Sequence, residues 1–167
     1  MFSKMKITDQ TKCFLKDQSG AALVEFAMLL PMLLLVFALM IEGSRLMWSY
    51  QSTISGVRDA TRYLARVAPL DICTSGGSVA VYQADLMAIV SQNINGVTIF
   101  PAGITVNSVT PSLTCTPGAY RVSPSPVVQV SANITVTFAF SGLFTLAGSS
   151  LSDVTTTISD QSRVFGT

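Results

Sequence analysis

The sequence predicts an α+β protein: a long N-terminal helix crosses a membrane and runs on into a small exported domain with an antiparallel sheet. Three observations predict it. Ala21 to Ile41 is an apolar run of 21 residues in which Glu25 is the only charge. Helical three-and-four spacing then continues to Ala68. Further on, Val128, Val130, Ala132, Ile134, Val136 and Phe138 alternate with Gln129, Ser131, Asn133, Thr135 and Thr137, a period of two with one apolar and one wet face.

A helix rises ~1.5 Å per residue, so the run covers roughly 30 Å, the thickness of a bilayer's hydrocarbon core. A buried helix is the alternative, but a stretch this long without a polar face is unusual in a small soluble domain. Only 11% of the chain is charged, against roughly a quarter in ordinary globular proteins. The net charge of +1 gives no reason to expect a nucleic-acid partner. All four lysines (Lys4, Lys6, Lys12, Lys16) precede the span and all six arginines follow it, with only Arg45 and Arg58 close behind. That asymmetry puts the N-terminus in the cytoplasm and the rest outside.

The run is too long for the apolar region of a secretory signal, and Ala38 to Ser44 lacks a small-residue cleavage pattern. A plain uncleaved anchor fits the hydropathy, yet leaves Glu25 without a partner. A carboxylate within a span costs on the order of 2 to 3 kcal/mol. Pro31 removes one backbone hydrogen bond, opposite Ala27, and is expected to bend the helix, either for function or because the span tolerates it.

Beyond the span, Glu42, Gly43 and Ser44 read as a hinge. Leu46, Tyr50, Ile54, Val57, Thr61, Leu64 and Ala68 then follow one helical face. Arg58, Arg62 and Arg66 form a second stripe, read either as a solvated face near a helix C-terminus or as contact with an acidic subunit. Trp48 and Tyr50 are either an interfacial anchor or core. Pro69 ends the helix. Asp71 to Ser78 is expected to be a loop, Val79 to Asn93 helical, Ile104 to Val109 a strand, and the stretch from Pro111 to Pro126 a loop. The alternating strand follows, and a Thr-rich one, Val154 to Val164, pairs with it through the Gly142 to Ser152 connection.

Cys13 falls in the basic leader, leaving Cys73 and Cys115 as the one exported pair. A bridge between them closes about 43 residues and is worth roughly 4 kcal/mol in the chain-entropy treatment; two free thiols are the alternative. There is no histidine, no phosphate loop, no G-x-S-x-G elbow and no close pair of exported carboxylates. We therefore expect no catalysis, cofactor, metal or small-molecule substrate. Asn133-Ile-Thr135 matches a glycosylation acceptor, but its mid-strand position argues against modification.

Gly20-Ala-Ala-Leu-Val-Glu25-Phe26 resembles the processing site of tight-adherence (Flp-type) pilins and pseudopilins, which an aspartyl prepilin peptidase cuts after the glycine. With the Pro31-Met-Leu-Leu-Leu stretch, Glu42-Gly-Ser-Arg45 and Val57-Arg-Asp-Ala-Thr-Arg-Tyr-Leu-Ala65, the region from Asp17 to Ala68 is similar to TadE-like pilus assembly proteins. The resemblance implies a pilin-like minor pseudopilin of the bacterial inner membrane. Residues 1–20 would be a cleaved leader, 21–42 the span, 43–68 a helical extension and 69–167 the exported domain. It implies as partners the prepilin peptidase, the major pilin, other minor pseudopilins, the secretion platform and membrane lipid. Cleavage would place the Ala21 amine one turn from Glu25, on the same face, where in a bundle it meets the carboxylate of a neighbour. The alternatives are an uncleaved single-span envelope protein that binds a partner through its exported domain, and, from another class, a membrane-anchored enzyme.

Overall fold

The computed structural model describes residues 19–146, 148 and 150–166. The leader expected over 1–20, with its lysines and Cys13, lies outside them except for its last two residues. The fold is α+β, as the periodicities require. The chain divides into two compact units, Met1–Met40 and Ile41–Thr167, and helix α1, Ser19–Val67, contributes to both.

In the first unit, α1 is built from Leu, Met, Ala and Phe, residues that lose little freedom in a helix. The helix continues through Pro31. Leu23, Phe26, Met28, Leu29, Met32, Leu33 and Phe37 are all exposed. By length and composition this segment is a candidate membrane span.

The second unit carries the rest of α1 and seven further elements. They are α2, Ile72–Ser75; a 3-10 turn, Val79–Tyr82; α3, Gln83–Ser91; β1, Ile104–Thr116; β2, Ser125–Thr137; α4, Ser141–Leu146; and β3, Asp153–Arg163. The strands form one antiparallel sheet in the order β1-β2-β3. As the central strand, β2 buries Val128, Val130, Ala132, Ile134 and Val136 completely, the face its alternation marks. Val128, Val130 and Ala132 of that face share a core with Val57, Ala60, Leu64 and Ala65 of α1, with Ala68 just beyond its end, and with Leu86 and Val90 of α3. A bond joins Cys73 to Cys115, tying α2 to the end of β1 with Cα atoms 5.8 Å apart.

Four expectations change. β1 does not end at Val109 but runs through Pro111 to Thr116. It is an edge strand, where a residue without an N–H is tolerated. Glu42 to Ser44 is no hinge: α1 is helical throughout, and Glu42 is 2% exposed. Finally, of the expected face Val57, Thr61, Leu64 and Ala68 are fully buried, whereas Leu46 and Ile54 are half-buried and Tyr50 exposed. The deeply buried stripe of α1 also takes in Ser49, Thr53 and Ala60, small side chains that let neighbouring backbone come close. At Gly56 this approach is extreme, since a Cβ would lie 3.1 Å from Cα of Val90. The short helix α2 forms where a loop is expected, closed by Gly76 at φ +72°.

Candidate functional site

Gly20 and Ala21 stand at the start of the described part of α1. Glycine costs about 1 kcal/mol relative to alanine within a helix. A Cβ at Gly20 would meet no atom within 4 Å, so packing within the chain does not demand glycine there. Glu25 is exposed one turn further on, and Phe26 is 60% exposed beside it. Four positions separate Ala21 and Glu25, which therefore share a face of α1. Leu29, Met32, Leu33, Val36, Phe37 and Met40 continue an apolar surface along the same unit.

A second cluster lies in the other unit, at the end of the sheet. Glu42 Oε1 accepts a hydrogen bond from the backbone N–H of Phe140 at 2.9 Å. Its Oε2 accepts one from Arg45 Nη1, also at 2.9 Å. Arg45 Nη2 in turn donates to the carbonyl of Ala102 at 2.7 Å. Beside it, Gly103 has φ +83°, and a Cβ there would come within 3.1 Å of Arg45 Nη2 and 3.2 Å of the Thr137 carbonyl. One ion pair thus clamps α1 to the entry of β1 and the exit of β2. A carboxylate buried this deeply needs such partners, because an uncompensated buried charge is expensive. Sequence reasoning linked Glu42 and Arg45 only through a family resemblance and misread the first as a break. The one local signal was the spacing of three, which suits a helical ion pair.

The buried hydroxyls of α1 are satisfied within their own helix. Ser49 Oγ donates to the Leu46 carbonyl, Thr53 Oγ1 to Ser49 and Thr61 Oγ1 to Val57, each at 2.8 Å. Thr61 also lies 3.4 Å from the Asp160 carbonyl. Arg58, Arg62 and Arg66 are all exposed; Arg62 lies 3.9 Å from Asp59, both largely in solvent. Trp48 is about half exposed, so it is not core. On the wet face of the sheet, Asn133 Oδ1 accepts from Asn107 Nδ2 at 2.6 Å while its own Nδ2 donates to Thr157 Oγ1 at 3.0 Å. The amide of the glycosylation-like triplet is thus engaged across all three strands. Among the described residues no group of His, Cys, Asp and Glu is arranged to hold a metal.

The Gly20 to Phe26 segment and the Glu42–Arg45 pair lie within one recognisable stretch. Residues 20–62 match the model of the TadE-like protein family, the family that the Gly20 to Phe26 and Glu42 to Arg45 motifs resemble. No curated protein and no solved structure matches the chain. The match supports involvement in the assembly of tight-adherence pili.

Proposed function

We propose that this chain, TadE-like over residues 20–62, is a minor pseudopilin-like structural subunit that helps assemble a tight-adherence pilus, and that it has no catalytic role. In this reading it sits in the bacterial inner membrane with its N-terminus in the cytoplasm and residues 69–167 outside. The prepilin peptidase cuts after Gly20, and the major pilin, related minor subunits, the secretion platform and membrane lipid are its partners. The observation that carries the reading is the coincidence of the family match with the start of the apolar helix: the matched segment begins at Gly20, and Glu25 stands one turn inside the candidate span. Chemistry supports it as well. Cleavage creates an ammonium on the face that carries Glu25, and a carboxylate in lipid needs a cationic partner to offset its insertion cost. Arg58, Arg62 and Arg66 provide a positive surface for an acidic subunit in the same assembly.

The test is the N-terminal sequence and intact mass of the protein recovered from envelope membranes with and without the peptidase. An Ala21 N-terminus that appears only with the enzyme is the expected result. A Met1 N-terminus under both conditions would leave an uncleaved, partner-binding envelope protein as the better account. Glu25→Ala is expected to insert normally yet fail in pilus assembly, measured by shed pilin.

A further inference from the structure

The two edges of the sheet are built differently. At one edge, β1 is blocked: Pro111 offers no N–H, a bulge between Val106 and Ser108 interrupts the register, and α3 and the 3-10 turn pack against the strand. At the other edge, β3 runs for 11 residues with no proline, and it pairs with β2 without a register shift. Edge strands of this length ordinarily carry a proline, a bulge, charged side chains or a cover that prevents pairing with another chain. β3 has neither proline nor bulge, and its charges are Asp153 and Arg163 at its ends and the half-buried Asp160.

Its unpaired groups can be identified. The Phe138 N–H donates to the Ser152 carbonyl, and the Val164 N–H to that of Pro126. In an antiparallel ladder hydrogen-bonded pairs alternate, so the even-numbered residues of β3 bond to β2. The N–H and C=O groups of Thr155, Thr157, Ser159 and Gln161 therefore face the outer edge, where no described residue pairs with them. Beside this edge Tyr50, Ile54, Val57 and Arg58 of α1, with Thr157 to Asp160, line a groove of about 280 Å³. Asp59 lies 3.9 Å from Arg62, both largely in solvent. Arg58 has no ion-pair partner among the described residues and lines both this groove and the adjoining one beside Arg62. Asp160, the other charge in the groove, disfavours a second carboxylate at its own position and so fixes where an acidic strand would sit.

We propose that the outer edge of β3 is a strand-addition site, at which an extended segment of a different chain pairs with Thr155 to Gln161 and sets a carboxylate against Arg58. Backbone pairing supplies the affinity, while Arg58 and the half-buried side chain of Ile54 select the sequence. The inference is independent of processing after Gly20, so either can fail without the other.

The test uses the full chain in detergent micelles and a blocked peptide, Thr-Val-Thr-Glu-Val-Thr-Val, with a second peptide in which Glu is replaced by Lys. The Glu peptide is expected to slow hydrogen exchange at the amides of Thr155, Thr157, Ser159 and Gln161, and to bind about tenfold more tightly than the Lys peptide. Arg58→Glu should reverse that preference. Ser159→Pro removes an outward N–H that the ladder does not use, so it should abolish binding while the unfolding midpoint stays near that of the parent. If that variant fails to fold, the Arg58→Glu reversal still decides. Equal binding of both peptides, unaltered binding to a folded Ser159→Pro variant, or protection of the four amides without peptide through self-association would each overturn the proposal.

Discussion

Residues 20–40 and 41–67 share one helix but use their side chains in opposite ways. The first stretch is dominated by large apolar residues, and nearly all of them are exposed. In the second, the fully buried positions hold Ser49, Thr53, Ala60, Thr61 and Ala65 beside Val57 and Leu64. Hydropathy therefore runs opposite to burial within a single element. The physical reason is that a helix long and apolar enough to cross a membrane can expose apolar surface to lipid at no cost, whereas a helix against a sheet gains from close approach and tight packing. The two glutamates make the same contrast. Glu25 is exposed among apolar side chains, while Glu42 is enclosed by an arginine and a backbone amide.

Substitutions can break that contrast, and Glu42→Ala should act most strongly. It strands Arg45 and the Phe140 N–H, and is expected to destabilise the second unit by roughly 3 to 5 kcal/mol, read by urea unfolding of the full chain in detergent. Leu64→Ala leaves a cavity in the shared core and should cost about 3 kcal/mol in the same assay. Gly56→Ala pushes a methyl group against the Val90 backbone and should lose roughly 1 to 3 kcal/mol. The smallest effect is expected for the partner of the leucine substitution. Leu33→Ala, at a position 57% exposed, should stay within about 0.5 kcal/mol. Equal losses for Leu33→Ala and Leu64→Ala would erase the distinction between the two stretches.

What could be read in the sequence depended on whether its cause was local. The candidate span follows from one apolar run broken by a single charge, Glu25, and β2 from strict alternation, because each depends on its own residues. The sequence ends β1 at Val109 because Pro111 is a breaker in most settings, and only the position of the strand at a sheet edge makes it acceptable. The burial of Glu42 is not legible in the sequence because its partner, the Phe140 amide, lies 98 residues away. The stripe over 46–68 was read by hydrophobicity, which finds Val57 and Leu64 but passes over Ser49 and Thr53, whose burial depends on size and back-bonding to the helix. In the candidate site, Gly20 and Glu25 stand out in the sequence because their chemistry is confined to one helical turn. The Glu42 to Arg45 clamp needs the assembled sheet.

The back-bonded hydroxyls bear on the order of folding. Ser49, Thr53 and Thr61 each satisfy their donor on the preceding turn of α1, so the helix meets these hydrogen-bonding needs before any strand exists. Docking the sheet on that stripe exchanges no hydrogen bond at Ser49 or Thr53 and mainly displaces water from small surfaces. The helix therefore presents this stripe to the sheet with its hydroxyl donors already satisfied.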